Sequence, residues 1–197
     1  MAELLQFDQE LFRLINSVWT TDWMDNVMPV WRSKLFWVPL YVFLFGFLLI
    51  NFGKQGLYLA VFAVLTITVS DTLSSKVIKK SVERVRPCNS SNPEIADNLI
   101  LRVPCGGGYS FTSSHATNHF ALAFFLIFTL GKRFKWIRFA LTFWAGSIAY
   151  GQVYVGVHYP FDVIVGGLLG ILVAVLLFYF YKNWEIYFFK PQNTLEQ

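Results

Sequence analysis

Long apolar runs separated by short polar stretches dominate the chain. An uncharged run covers residues 35–53, and a second begins at Gly56 and stays apolar through Ser70. Three more cover residues 113–130, 139–157 and 163–181. Each is close to the ~20 residues that an α-helix needs to cross a bilayer. The pattern therefore predicts an all-α, polytopic membrane helix bundle with about five transmembrane helices.

Residues 1–34 are more polar, and we expect them to form an N-terminal amphipathic helical segment at the membrane interface. Asp8 is a candidate N-cap for its helix. The apolar residues that follow recur at helical spacing, and they are Leu11, Leu14, Ile15, Val18 and Trp19. Three tryptophans are expected at the level of the lipid headgroups, namely Trp19, Trp23 and Trp31. We do not expect a signal peptide, because acidic residues stand where a basic leader would be and no apolar core follows them.

The pattern divides the chain into three parts. They are an interfacial segment over residues 1–34, a transmembrane domain over residues 35–182 and a C-terminal tail over residues 183–197. The transmembrane domain contains a polar loop, residues 79–113, that is rich in Asn, Ser, Pro and Gly. Loops of that length in compact proteins are usually functional or disordered. We therefore expect this loop to belong to a functional site.

The composition agrees with a membrane protein. Of the 197 residues, 55% are hydrophobic and 14% are charged, against roughly 25% charged in an ordinary soluble domain. A mean hydropathy of +0.49 also excludes intrinsic disorder. The net charge of +4 would fit a nucleic-acid partner, but the basic residues form short clusters between apolar runs, so we expect the bilayer as partner instead. Gly166 and Gly170 are more typical of packing within a bundle than of dimerisation, which leaves the oligomeric state open.

Basic residues also predict the orientation in the membrane. Four of them lie within residues 131–138, as is typical of a cytoplasmic turn. The N-terminal segment, the polar loop and the turn over residues 154–162 then lie outside the cell (inner) membrane and face the periplasm or the exterior. That outer side nevertheless holds nine of the 16 Lys and Arg residues. Basic residues are usually more frequent on the cytoplasmic side, so this orientation fits only if most of the outer Lys and Arg residues belong to a functional site.

Cys88 and Cys105 are the two cysteines of the chain, and both lie in the polar loop. They are either two unrelated thiols or a disulfide that closes an 18-residue loop in an oxidising compartment. Such a bridge would stabilise the fold by ~3 kcal/mol through loop-closure entropy. We favour the bridge.

Three polar clusters fall at ends of predicted spans on the same side of the membrane. The first contains Lys79 and the pair Arg86-Pro87, with Lys80 and Arg84 between them. Cations at this density suit a multiply charged anion, because a guanidinium forks onto two oxygens and an ammonium acts as a point charge. By itself this stretch fits a solvated basic cluster near anionic headgroups better.

The second cluster, Thr112-Ser113-Ser114-His115, follows three glycines and opens a helix. Free backbone N–H groups, the positive end of the helix dipole and the hydroxyls together make an anion site there. An ordinary N-cap explains the serines but not His115. His119, one turn later, is expected to have a structural hydrogen-bonding role.

The third cluster runs from Val157 to Asp162. Pro160 suits the first turn of a helix, which puts His158 just before that helix and Asp162 within its reach. A carboxylate bonded to one imidazole nitrogen leaves the other nitrogen free as nucleophile or base. The pair alone is a weak signal, but three clusters that converge on one membrane face indicate an active site.

In their order and spacing, the clusters resemble the three-part signature of the type 2 phosphatidic acid phosphatases. These are integral membrane lipid phosphatases related to vanadium-dependent haloperoxidases. The first part, which reads Lys, six residues and Arg-Pro, is complete as Lys79, Arg86 and Pro87. The second part, Pro-Ser-Gly-His, keeps its Ser and His as Ser113 and His115.

The third part of the signature reads Ser-Arg, five residues, His, three residues and Asp. His158 and Asp162 keep the expected spacing, but Gly151-Gln152 stands where Ser-Arg is expected. The resemblance covers roughly residues 56–182.

The resemblance implies a role for each site residue. His158 would attack phosphorus and form a phosphohistidine, and Asp162 would orient its ring. His115 would protonate the leaving oxygen, and water would then hydrolyse the intermediate without a metal or another cofactor. The phosphate oxygens would be bound by cations, hydroxyls and amides, which are Lys79, Arg86, Ser113, Ser114 and Gln152.

Gln152 stands where the signature expects an arginine, so one expected cation is absent from that position. A glutamine donates a hydrogen bond but supplies no charge, so binding of the transition state weakens unless another cation replaces it. We expect Arg84 or Lys80 to replace it, and we expect the protein to be an active enzyme.

The sequence therefore predicts a membrane phosphatase that removes the terminal phosphate of a lipid phosphate or diphosphate. Undecaprenyl diphosphate is the favoured substrate, because its second phosphate would bind Lys80, Arg84 or Arg102. Phosphatidylglycerophosphate, phosphatidic acid and lipid A 1-phosphate are the alternatives that the resemblance implies. A lipid-headgroup binder or transporter that has lost turnover is an alternative of another class, favoured by Gln152. A purely structural membrane protein fits three coincident polar clusters least.

Overall fold

The computed structural model describes residues 2–89 and 99–188. Every regular element in those two ranges is helical. The α-helices are α1 (Ala2–Arg13), α2 (Asp22–Trp31), α3 (Lys34–Thr72), α4 (Lys79–Val82), α5 (Ser114–Leu130), α6 (Trp136–Tyr154) and α7 (Pro160–Phe188). Short π-helical turns follow α1 at Leu14–Val18 and join α3 to α4 at Leu73–Ile78. The predicted all-α class is confirmed.

α3 bends sharply in its middle. Gly53 has φ 52° and ψ −126°, outside the helical region. A methyl group added to Gly56 would lie 2.0 Å from the carbonyl oxygen of Leu48, although residues eight apart in a straight helix are about 12 Å apart. The two apolar runs predicted on either side of Gly53 are therefore separate helical segments.

Two helical runs are long and apolar enough to cross a membrane, Lys34–Val82 and Pro160–Glu185. The first of them contains the bend at Gly53, so it comprises both of the first two predicted spans. Large apolar side chains are exposed along both runs, Val42 and Leu168 among them. Such a surface suits lipid rather than water. The number of five spans stays a prediction.

Several helix boundaries differ from the predicted ones. The helix before the polar loop continues to Val82 and ends where Glu83 adopts a left-handed backbone with φ 53°. Lys79 therefore lies on α4 and not in the loop, because charge alone does not end a helix. α7 continues to Phe188, past the start of the predicted tail at residue 183. Residues 90–98 of the loop and 189–197 of the tail lie outside the described residues.

α5 and α7 pack closely because α7 presents glycines to α5. A methyl group on Gly170 would lie 2.3 Å from the backbone oxygen of Thr117. One on Gly166 would lie 2.9 Å from the backbone oxygen of Ser113. These glycines serve packing within the bundle, as the sequence predicts. Their close contact holds the start of α5 beside the start of α7, where the second and third polar clusters lie.

The N-terminal segment packs onto the same end of the bundle. α1 begins at Ala2, so the prediction that Asp8 is its N-cap was wrong. The Asp8 carboxylate is buried and accepts a hydrogen bond of 2.9 Å from the backbone N–H of Phe161. It therefore caps the first turn of α7 instead of its own helix. Ile15 of the predicted apolar face is buried in a cluster with Tyr154 of α6.

The three tryptophans of the N-terminal segment do not share one environment. The side chains of Trp19 and Trp23 are exposed. The Trp31 indole N–H donates a 2.9 Å hydrogen bond to Ser147 Oγ, and its ring lies edge-on to that of Trp37. Trp31 therefore attaches the end of α2 to α6, and the headgroup position of the other two stays a prediction.

Candidate active site

His158 and Asp162 lie where α6 connects to α7. Pro160 occupies the first position of α7, so Asp162 falls in the first helical turn and faces back towards His158. Both side chains are buried. His158 Nδ1 lies 3.5 Å from Asp162 Oδ2. The structure thus brings together the imidazole and the carboxylate of the third cluster.

Ser110 connects the same two side chains and was missed in the sequence. Its buried hydroxyl donates a hydrogen bond to Asp162 Oδ2 and lies 3.3 Å from His158 Nδ1. Its signal in the sequence is weak, a small polar residue shortly after three glycines.

Arg86 determines which nitrogen of His158 carries the proton. Its Nη1 lies 3.2 Å from His158 Nε2. A guanidinium has donors and no acceptor, so Nε2 must accept and is unprotonated. The hydrogen-bond network therefore assigns the proton of the neutral ring to Nδ1, facing Ser110 and Asp162. The lone pair of Nε2 points towards the cationic side of the site.

The surroundings of His158 also keep its ring neutral. Burial lowers the pKa of His158 to about 4, and the charge of Arg86 adds to this shift while Asp162 opposes it. The imidazole is therefore unprotonated at neutral pH, as a nucleophile must be.

Arg84, which was predicted to contact phosphate, binds two carboxylates. Its Nη1 donates to Asp162 Oδ1 at 2.8 Å, and its Nη2 donates to Asp8 Oδ2 at 2.6 Å. The guanidinium also lies 4.0 Å from the centre of the Tyr159 ring. Two buried carboxylates need this charge, because removing it would leave them uncompensated. Arg84 therefore holds Asp162 in place, and its contact with phosphate stays a prediction.

Arg102 is paired in the same way, and its expected contact with a second phosphate stays a prediction. Its Nε lies 2.6 Å from Asp25 Oδ1. Its Nη1 donates to the carbonyl oxygens of Asn16 and Tyr154, at 2.9 Å each. Lys80 is exposed on α4, and its contact with phosphate stays a prediction.

Lys79 and Arg86 are held by neutral groups. Lys79 Nζ donates to the carbonyl oxygens of Tyr109 at 2.8 Å and Ser110 at 3.2 Å. Arg86 Nε donates to the carbonyl oxygen of Gly108 at 3.2 Å. Carbonyl oxygens orient these cations without cancelling their charge, so both remain available for an anion.

The start of α5 carries the second polar cluster. Ser113 is the N-cap, and its side-chain oxygen accepts a hydrogen bond of 3.5 Å from the N–H of Ala116. The Ser114 hydroxyl lies 2.9 Å from Ser74 Oγ. These contacts fix the start of the helix, while binding of phosphate by Ser113 and Ser114 stays a prediction.

His115 lies in the first turn of α5 and is partly exposed. It is within electrostatic range of His158 and of Arg32. The structure therefore places the second cluster beside the third. One turn later, His119 Nδ1 donates a 2.7 Å hydrogen bond to the backbone oxygen of His115, which is a structural role.

Gln152 is fully buried on α6 and contacts a cation that the sequence analysis missed. Its side-chain oxygen accepts hydrogen bonds from Arg32 Nε at 3.1 Å and Arg32 Nη2 at 2.9 Å. Arg32 directly follows α2 and is within electrostatic range of Arg86. Burial and the charge of Arg86 lower the pKa of Arg32 to about 10, so it stays charged at neutral pH. The two residues are 120 positions apart, and nothing local in the sequence connects them.

Cys88 and Cys105 form a disulfide, with 5.7 Å between their Cα atoms. The predicted bridge is confirmed. It joins the residues that follow Arg86 to the glycines that surround its guanidinium, so it closes the loop around this cation.

Known proteins are similar to this chain over most of its length. The family model of the PAP2 superfamily matches residues 57–186. The chain is 38% identical over 173 residues to the lipid A 4'-phosphatase of Bacteroides thetaiotaomicron, covering 86% of this chain and 75% of that protein. It is 31% identical over 172 residues to the undecaprenyl-diphosphatase of Sulfolobus acidocaldarius, covering 86% and 76% of the two chains.

The fold is similar to a solved structure as well. The crystal structure of Aquifex aeolicus LpxE matches with a TM-score of 0.66 and 27% sequence identity, over 85% of this chain and 92% of that chain. With the family match and these relatives, the chain belongs to the PAP2 superfamily and is a membrane lipid phosphatase.

Proposed function

We propose that this phosphatase cleaves a lipid phosphate through a phosphohistidine formed at Nε2 of His158. The observation that supports this most is the set of contacts around the His158 ring, which assigns its tautomer. Its Nδ1–H faces Ser110 and Asp162, which leaves the lone pair of Nε2 towards Arg86. A neutral imidazole in this orientation is a competent nucleophile.

The proposed reaction has two steps. In the first, Nε2 of His158 attacks phosphorus while the bond from phosphorus to the lipid oxygen breaks. His115 enters this step as the imidazolium, stabilised by the bound anionic phosphate, and gives its proton to that oxygen, so the lipid leaves as an alcohol. In the second, water attacks phosphorus, His115 takes a proton from the water, and the bond from phosphorus to Nε2 breaks. The products are the dephosphorylated lipid and inorganic phosphate, and both histidines return to their starting states.

Asp162 supports the intermediate. The phosphorylated ring is positively charged, because Nδ1 keeps its proton while Nε2 is bonded to phosphorus. A carboxylate on the Nδ1 side stabilises that charge. Ser110 accepts from Nδ1 and donates to Asp162, so it transmits the same stabilisation. Arg84 holds the other oxygen of Asp162 in place.

Lys79 and Arg86 neutralise the negative charge on the oxygens of the transferred phosphoryl group. Phosphoryl transfer depends mainly on positioning and charge stabilisation, and these cations supply both. We infer that Arg86 turns from His158 Nε2 to a phosphate oxygen when substrate enters. In this scheme the side chains carry the chemistry, and no metal or other cofactor is required.

For the substrate we propose a phosphate monoester of a lipid A type glycolipid. Two observations support a single phosphate group. Arg84 and Arg102, which were expected to bind a second phosphate, are paired with Asp8, Asp162 and Asp25. The Bacteroides thetaiotaomicron relative is named for lipid A 4'-dephosphorylation.

Undecaprenyl diphosphate, which the sequence analysis favoured, is the second candidate. The Sulfolobus acidocaldarius relative is named as an undecaprenyl-diphosphatase. Lys80 is the cation that could still bind its second phosphate, since it is exposed on α4 next to Lys79.

We also propose that the site faces the periplasm or the cell exterior, with the chain passing several times through the inner membrane. The disulfide between Cys88 and Cys105 supports this orientation. Disulfides persist in oxidising compartments and are rare in the cytosol.

The test is phosphate release by the purified full-length protein in detergent micelles. Lipid A, undecaprenyl diphosphate, phosphatidylglycerophosphate and phosphatidic acid are compared by kcat/KM, with His158→Ala as the control. We expect lipid A to give the highest value and the variant to be inactive. Equal release by the variant would contradict the phosphohistidine. Binding of these lipids without release would favour the binder or transporter.

A further inference from the structure

Arg32 stands beside the position where the family signature expects a cation. We propose that the Arg32 guanidinium, held by Gln152, is a phosphate-binding group of the active site. The inference rests on the proposed phosphatase function and adds to it a residue from outside the signature and outside the region that matches the family.

Gln152 holds Arg32 by one edge of its guanidinium. Nε and Nη2 both donate to the single side-chain oxygen of Gln152. Within residues 2–89 and 99–188, Nη1 has no hydrogen-bond partner, so this part of the fork is free to bind an oxygen of the substrate. The fixed plane of a guanidinium suits two phosphate oxygens.

Gln152 itself has an unused donor. Its Nε2 is buried and has no hydrogen-bond partner in the described part of the chain. A buried donor without a partner costs free energy, and a native protein usually has a reason to keep one. A phosphate oxygen beside Arg32 would accept this bond.

The charge of Arg32 is not compensated by a carboxylate. Arg84 and Arg102 each pair with one or two aspartates. No such pair involves Arg32 in the two described ranges, and the cation close enough to affect it is Arg86. Two partly buried guanidinium groups near each other repel, and a multiply charged anion between them removes that repulsion.

Both departures from the third part of the signature lie beside Arg32. The signature expects Ser-Arg where this chain has Gly151-Gln152. A methyl group on Gly151 would lie 3.5 Å from Arg32 Cβ and 3.7 Å from Met28 Sδ, which are ordinary van der Waals distances. Gly151 therefore lies directly against the end of α2, and Gln152 holds the guanidinium that follows α2.

Two hydrogen bonds from tryptophan indoles hold the chain around Arg32. The indole N–H of Trp37 donates a 2.8 Å hydrogen bond to the backbone oxygen of Trp31. The Trp31 indole in turn donates to Ser147 on α6, one turn from Gln152 along the same helix. A cation on such a support needs little reorganisation to bind substrate.

The experiment removes the arginine at position 32 and introduces one at position 152, where the signature expects it. Phosphate release and the inhibition constant of inorganic phosphate are measured for Arg32→Ala, Gln152→Arg and the double variant. Arg32→Ala is expected to lower kcat/KM by about 100-fold, as for loss of one group that stabilises transition-state charge, and to raise the inhibition constant. The double variant is expected to recover at least about tenfold of that loss, because an arginine then stands at the signature position.

Two controls separate binding from folding. Arg13→Ala removes an exposed cation of the same N-terminal segment and is expected to keep wild-type activity. Arg32→Lys keeps the charge without the fork and is expected to lie between Arg32→Ala and wild type. Melting temperatures show whether each variant is folded.

The outcomes are distinguishable. If wild type releases phosphate and Arg32→Ala keeps the wild-type inhibition constant, Arg32 does not bind phosphate and the inference is wrong. A double variant no more active than Arg32→Ala would show that the two positions do not serve the same group. If wild type releases no phosphate from any lipid, the proposed function fails. Binding of inorganic phosphate to wild type and to Arg32→Ala, measured by calorimetry, then still decides the role of Arg32.

Discussion

Asp8 of the N-terminal helix is ion-paired with Arg84 of the active-site loop, with 2.6 Å between Asp8 Oδ2 and Arg84 Nη2. The same guanidinium binds Asp162, the carboxylate that faces His158. A segment that was expected to lie at the membrane interface is therefore part of the support of the active site.

Replacing Asp8 by Ala should destabilise the protein and lower its kcat. Arg84 would lose one of its two carboxylates, and the N–H of Phe161 in the first turn of α7 would lose its acceptor. We expect a loss of about 3 kcal/mol in the free energy of unfolding, as for breaking a largely buried pair. Because Asp162 is held less firmly, kcat should also fall. Thermal unfolding and phosphate release in detergent measure both effects.

Glu10→Ala is the matched control for Asp8→Ala, since Glu10 is exposed on the same helix. It should leave both measurements unchanged. If Asp8→Ala behaves like Glu10→Ala, the ion pair has no role in the site.

Replacing Ser110 by Ala should reduce both kcat and the free energy of unfolding. Nδ1–H of His158 would lose the oxygen at 3.3 Å, and Asp162 would lose a donor. A hydrogen bond to a charged group is worth ~1.5–3 kcal/mol, which corresponds to about 10- to 100-fold in rate. Ser81→Ala is the control, because that hydroxyl bonds to the Val77 carbonyl of its own helical segment. Equal kcat for the two variants would remove Ser110 from the mechanism.

The pKa of His158 should be visible directly by NMR. The chain has three histidines, so a His115→Gln, His119→Gln variant carries His158 alone. Burial lowers the pKa of His158 to about 4, so the ring stays neutral at higher pH and becomes protonated as the pH falls through that value. Titration of ¹⁵N-labelled histidine, in protein purified without a histidine tag, should give a midpoint near 4. A midpoint at or above the ordinary ~6.5 would contradict the buried, neutral nucleophile.

The glycine contact between α7 and α5 should be sensitive to a single methyl group. Gly170→Ala would place a carbon 2.3 Å from the backbone oxygen of Thr117, which forces the two helices apart. We expect a loss of about 1–3 kcal/mol in the free energy of unfolding and a lower melting temperature. Gly146→Ala on α6 is the control, since a methyl group there has nothing within 4 Å. That substitution should be neutral or slightly stabilising, because alanine favours the helix.

The helices were predictable because their signals are local. An apolar run of ~20 residues forms a helix wherever it lies in the bilayer, and a glycine with a positive φ separates two such runs without changing either. The close spacing of His158 and Asp162 likewise predicts a contact, since four residues across the start of a helix leave little freedom. The ends of the helices were less predictable, because the left-handed backbone of Glu83 has no local sequence signal.

The sequence by itself determined the class of the protein, the positions of the polar clusters and the pair His158 and Asp162. Only the tertiary structure decided how the cations are used. Arg32, Arg84, Arg86 and Arg102 are chemically identical, and the sequence left Arg84 and Lys80 as alternatives for replacing the missing charge. In the structure, Arg84 and Arg102 form ion pairs with aspartates, whereas Arg86 and Arg32 donate hydrogen bonds to neutral oxygens. The charge that an arginine offers to a substrate depends on whether a carboxylate lies beside it, and here those carboxylates come from distant parts of the chain.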